Sequence, residues 1–130
     1  MHLDLSNITG MKIWRYSGIL FIATGLLHTI VAILLGAGTY MQMIKQGLFD
    51  SVNDDFEKGF AFWFLICGLL IMMLGFLAHA FIKQTGKPLP VLLGYILLAV
   101  TILGCIVEPV SGFWLFLPQA LIIILAKDKG

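Results

Sequence analysis

The sequence predicts an all-α fold, a transmembrane up-down four-helix bundle with both termini cytoplasmic, and three observations carry that expectation. Four stretches free of Asp, Glu, Lys and Arg, Tyr16 to Ile44, Gly59 to Ile82, Pro88 to Val107 and Pro109 to Ala126, fill most of the 130 residues. Each is long enough for a hydrocarbon core ~30 Å thick, which needs ~20 mostly apolar residues as a helix whose backbone groups pair internally. The composition agrees: 60% of the chain is hydrophobic and the mean hydropathy is +1.02, far from a soluble domain with its roughly 45–50% apolar share. The third observation is charge placement. Lys12 and Arg15, then Lys83 and Lys87, then Lys127 and Lys129 fall on one side of the four segments, whereas Asp50, Asp54, Asp55, Glu57 and Glu108 fall on the other with only Lys45 and Lys58. Short cytoplasmic loops carry the Lys and Arg excess, so the basic side is expected to face the cytoplasm.

Helix one is expected over about residues 13–36, anchored at the interface by Trp14 and Tyr16 and ended by Gly36 and Gly38. It follows basic residues as a signal peptide would. It lacks a small-x-small cleavage pattern and is long enough to span, so a retained helix is expected. Tyr40, Met41, Ile44 and Leu48 then recur at helical spacing with Gln42, Lys45 and Gln46 between them, which suits a short interfacial helix over about 40–48.

Asn53 is read as the N-cap of helix two, expected over 54–82, with Asp54 and Asp55 at the positive end of its dipole. Gly86 supplies a left-handed cap and Pro88 lies beyond it. Helix three is expected over 89–108. The tight Glu108-Pro109-Val110-Ser111-Gly112 connection makes it an antiparallel neighbour of helix four, 111–126, where Pro118 predicts a kink. One domain, residues 1–130, leaves no room for a second module.

Small and polar residues recur every seven positions: Gly18, Gly25 and Ala32; Ala61, Gly68 and Gly75; Gly94, Thr101 and Glu108; Gly112, Gln119 and Ala126. Where no water drives association, small residues let helix backbones approach closely, and a seven-residue period favours a left-handed bundle.

The candidate site comes from the few polar groups at membrane depth. His28 lies on the Gly25–Ala32 face, ~20 Å along helix one from the basic side, and Thr101, Gln119, Cys67 and Cys105 fall at a similar level. Glu108 lies nearer the acidic side. An ionisable group inside a bilayer is costly unless paired, so His28 with Glu108 forms a candidate catalytic acid–base pair. Trp63, Thr101, Trp114 and Gln119 are the candidate ligand-binding residues. The bland alternative stands beside this one: His28 donating to a backbone carbonyl or to Gln119, Glu108 capping a turn, and the tryptophans forming an interfacial belt. His79 is displaced ~15 Å along the normal from His28, so a two-histidine haem site is excluded. Two lone cysteines without a Cys-x-x-Cys motif point to small buried hydrophobes. No cofactor or metal is expected, and a net charge of +1 gives no reason to expect nucleic acid.

Pro109-Val110-Ser111-Gly112-Phe113-Trp114-Leu115 followed by Pro118, with His28, Phe62-Trp63 and Gly94, resembles an uncharacterised family of small bacterial four-span membrane proteins. In size and span count the chain also resembles the DoxX-like membrane proteins. The resemblance implies a multi-pass protein of the bacterial inner membrane and carries no assigned activity. The leading functional expectation is a cavity in the outer half of the bundle, walled by His28, Trp63, Thr101, Glu108, Trp114 and Gln119, that binds a small hydrophobic or lipid-like molecule. Two rivals remain open: an accessory subunit packing against a membrane partner or a second copy, and an isomerase or cyclase using His28 and Glu108. Whether the chain is an enzyme is left undecided by the sequence.

Overall fold

The computed structural model describes residues 12–126, which places the Lys127 and Lys129 cluster outside the described residues. Within them the chain is helical, with no strand. A 3-10 turn, Ile13–Tyr16, leads into α1, Ser17–Lys45. Then come α2, Phe56–Thr85, α3, Val91–Val107, a second 3-10 turn, Gly112–Leu115, and α4, Phe116–Leu125.

Helix α1 does not stop at Gly36 and Gly38 as expected, and no separate interfacial helix forms over 40–48. Its last three turns belong to one continuous helix because they are tied to the start of α2. The Tyr40 hydroxyl donates to the Ala61 carbonyl at 2.8 Å, Thr39 Oγ1 donates to Glu57 Oε1 at 3.2 Å, and Lys58 Nζ donates to Gln46 Oε1 at 2.8 Å. Gly36 supports this arrangement. A Cβ there would sit 2.5 Å from the Tyr40 ring, one turn on, so the glycine that reads as a breaker makes room for the ring that continues the helix.

The N-cap of α2 is Asp55, not Asn53. The Asp55 carboxylate accepts from the backbone N–H groups of Glu57 at 3.0 Å and Lys58 at 3.2 Å, the donors a helix start leaves free. Asn53 and Asp54 instead take left-handed conformations, φ 35° and 61°, which Asn and Asp tolerate in turns. At the other end Gly86 is the left-handed cap, φ 66°, and its N–H donates to the Ile82 carbonyl at 2.8 Å, as the sequence predicts.

The seven-residue pattern is realised in full only between α1 and α2. A Cβ at Gly25 would lie 2.6 Å from the Met72 nitrogen, and one at Gly75 would lie 2.6 Å from the Ile22 nitrogen. At Gly18 and Gly68 it would overlap His79 and Thr29. In the second hairpin Gly94 packs on Ile123 and Ile124, but Gly104, pressed against the Phe113 ring, takes the place expected of Glu108. The reason is helix length: α3 ends at Val107, so Glu108 leaves the helix before the pattern reaches it.

Pro118 falls in the first turn of α4, where an N–H has no intrahelical partner to lose, and the accommodation expected as a kink takes the form of the preceding 3-10 turn. The Phe116 N–H accordingly donates to the Phe113 carbonyl.

The two hairpins meet where α4 packs on α1 and on the N-terminal turn, while α3 packs on α4 and its preceding turn. The core gathers at the basic end, where Trp14, Phe21, Ala78, Ile82, Leu89 and Ile123 are buried together. Away from it large apolar side chains face outward, Leu35 at 80% exposure and Val107 at 75% among them. Two helical stretches, Ile13–Lys45 and Phe56–Thr85, are long and apolar enough to cross a membrane. Val91–Val107 and Gly112–Leu125 are apolar but shorter.

Candidate ligand-binding site

His28 is oriented by the close α1–α2 contact. Its Nε2 lies 2.9 Å from the Phe64 carbonyl oxygen, an acceptor that requires the proton on Nε2. The ring lies over Phe64 with centroids 4.2 Å apart at 41°, and Phe64 stacks in turn on Phe60 at 5.8 Å. The absence of a side chain at Gly68 makes this approach feasible: a Cβ there would come 3.1 Å from His28 Cδ2. His28 therefore bridges two helices by a bond to backbone.

Glu108 sits at the C-cap of α3 on the other hairpin, exposed, with its N–H bonded to the Gly104 carbonyl at 2.9 Å. Among the described residues no hydrogen bond or ion pair joins it to His28, and the two are not assembled as an acid–base pair.

Thr101 and Trp114 do come together. With Ile102, Cys105, Ile106 and Leu117 they line a groove of about 280 Å³ between α3, the second 3-10 turn and α4. The Thr101 hydroxyl is buried and donates to the Leu97 carbonyl at 2.7 Å, so its proton is already paired within α3. The Trp114 indole N–H donates to the Pro109 carbonyl at 2.8 Å. That bond ties the ring to the start of the 109–112 connection.

Gln119 faces the opposite way. Its Nε2 donates to Thr24 Oγ1 of α1 at 2.6 Å and to the Leu115 carbonyl at 3.0 Å, while Thr24 donates to Leu20. Its Oε1 is buried without a partner among the described residues. Gln119 thus joins the two hairpins and lies outside the groove lining, as do His28, Trp63 and Glu108. Trp63 is exposed on α2, edge-on to Phe62 at 5.5 Å.

Cys67 and Cys105 are free and stand on α2 and α3, helices of different hairpins. No group of His, Cys, Asp and Glu among the described residues is arranged to hold a metal ion. Sequence reasoning missed Thr24, the tie from Tyr40 to α2, and the joint role of Ile102, Cys105 and Ile106 as apolar lining. The i, i+3, i+4 spacing of that last trio on one helix face was the available signal.

Fold and groove together define a small all-helical protein with two helices able to cross a bilayer and an apolar groove on its second hairpin. The chain belongs to a family of unknown function, DUF6463, whose model matches residues 12–130. No curated protein and no solved structure matches it.

Proposed function

We propose that this chain is a multi-pass protein of the bacterial inner membrane that binds a small hydrophobic or lipid-like molecule in the groove between α3 and α4. The observation that carries this reading is the apolar groove of about 280 Å³ walled by Thr101, Cys105, Ile106 and Trp114. Its size lies just below the roughly 300–1,000 Å³ of small-molecule sites, which suits one acyl segment or a small ring. Membrane residence is supported by the outward-facing apolar side chains of all four helices, which lipid covers at no cost. With four spans and both ends on the basic side, α3 at ~26 Å and the turn plus α4 at ~23 Å are accommodated by local thinning of the bilayer. The accessory-subunit rival requires a lipid-facing stripe of small residues. Gly18, Gly25, Ala61, Gly68 and Gly75 are instead buried between α1 and α2.

The test is native mass spectrometry of the protein released from mild detergent, with identification of whatever it retains. A single retained apolar species is expected, absent from Cys105→Phe, whose added ring fills the groove. Equal retention by that variant, or a bare wild-type protein, would refute the groove as the site.

A further inference from the structure

We propose that a second pocket, at the basic end of the α1–α2 hairpin, binds the phosphate group of an anionic membrane lipid. Arg15, His79, Ile82, Lys83 and Gly86 line a space of about 290 Å³ there. Two formal cations and an imidazole converge on it, and among the described residues no carboxylate lines it. The N-terminal end of α1 and the C-terminal end of α2 meet at this point, so their dipoles offset and the charges of Arg15 and Lys83 set the sign.

Arg15 and His79 are positioned by the fold before any ligand arrives. The Arg15 guanidinium carbon lies 5.5 Å from the centre of the Trp14 ring, and Trp14 is buried in the core beside Ile82. The His79 backbone and Cβ are pressed against Gly18, where a side chain would overlap them. His79 Nδ1 is buried with no hydrogen-bond partner among the described residues. An unpaired buried lone pair costs less than an unpaired buried N–H, which favours the tautomer carrying its proton on Nε2 and makes Nε2 the ring donor left for a ligand. Guanidinium, ammonium and imidazole N–H form a donor set suited to phosphate oxygens. Beside Gly86 a Cβ would meet nothing within 4 Å, so the space is open on that side.

Surroundings favour a lipid over free phosphate. Tyr16, Ile19 and Phe81, within one or two turns of the pocket, are exposed apolar side chains along which acyl chains can lie. The pocket itself sits where the hairpin leaves the apolar zone, at headgroup level. This inference rests on the membrane reading but not on the groove, which lies on the other hairpin.

The experiment is native mass spectrometry of the full chain in neutral detergent, titrated with phosphatidylglycerol, with phosphatidylcholine of the same acyl chains, and with inorganic phosphate as competitor. Wild type is expected to prefer phosphatidylglycerol by about tenfold or more, and Arg15→Gln and Lys83→Gln each to reduce that binding about tenfold, the effect of one charge-assisted hydrogen bond. Arg15→Lys should fall between, since it keeps the charge and loses the planar fork. Lys45→Gln, a charge removed at the opposite end, should change nothing. Retention of the fold is checked by circular dichroism. The proposal is overturned by equal retention of the two lipids, by displacement of phosphatidylglycerol with millimolar phosphate, or by an equal loss in Lys45→Gln. Loss of the groove's retained species in Cys105→Phe with this preference intact would separate the two sites.

Discussion

A methyl group at Gly25 reads out the closeness of the α1–α2 contact. The added Cβ would stand 2.6 Å from the Met72 nitrogen, 2.6 Å from Met72 Cγ and 2.9 Å from the Gly68 carbonyl oxygen. Two of those three atoms are backbone and cannot rotate away. The helices must therefore separate by roughly 0.8 Å to regain ordinary contact near 3.4 Å, and overpacking of this kind costs about 1–3 kcal/mol. Against it stands the helix propensity of Ala over Gly, about 1 kcal/mol. Gly38→Ala isolates that second quantity, because a Cβ at Gly38 on the same helix meets nothing within 4 Å. Gly38→Ala should thus stabilise by up to about 1 kcal/mol, and Gly25→Ala should fall about 1–3 kcal/mol below it. Both are measured by reversible unfolding in mixed micelles, followed by far-ultraviolet circular dichroism, with the double variant testing additivity across 13 residues. If Gly25→Ala stabilised the protein as much as Gly38→Ala, the glycine-mediated hairpin contact would be refuted.

Other expectations follow from single hydrogen bonds. Thr24→Val removes the acceptor of Gln119 Nε2 and should cost about 1–2 kcal/mol, whereas Gln119→Leu also removes the unpaired Oε1 and should be closer to neutral; the reverse order in thermal midpoints would contradict the bonding described. Tyr40→Phe deletes the bond to the Ala61 carbonyl and should cost about 0.5–1.5 kcal/mol, with faster amide exchange confined to the last turns of α1; uniform exchange along α1 would argue against the tie. The Lys58 backbone N–H holds the Asp55 carboxyl below its ordinary value, with help from the Lys58 charge and against partial desolvation. Because the folded value is depressed, its stabilising effect is present above the unfolded pKa of about 3.9 and is lost as pH falls through the lower folded value. The protection of the Glu57 and Lys58 amides, their exchange rate relative to the intrinsic rate at each pH, should fall over that acidic range in wild type, stay constant across it in Asp55→Asn, and be low throughout in Asp55→Ala.

Much of this architecture was legible in the chain, and the physical reason is local. Uninterrupted apolar runs, Gly86 before Pro88, and the glycine spacing at 18, 25, 68 and 75 each act within one helix or one turn. Periodicity alone therefore located the α1–α2 face. Where residues of similar local merit compete, local reading picks wrongly: Asn53, Asp54 and Asp55 all suit an N-cap, Asn53 is the one expected, and only the path of the loop selected Asp55.

The tertiary structure decided everything that depends on a partner distant in the chain. Gly36 and Gly38 lose their helix-breaking effect because Tyr40 bonds to Ala61 across the hairpin. His28, read as half of an acid–base pair, is satisfied by the Phe64 carbonyl because the glycine at 68 brings that backbone within reach. Gln119 turned toward Thr24 and left the groove to Thr101, Cys105 and Trp114. Burial depth along a helix is a matter of residue count, which the sequence supplies. Azimuth and pairing between hairpins depend on which helices touch, and that is settled only when α4 packs on α1 and leaves α3 outside.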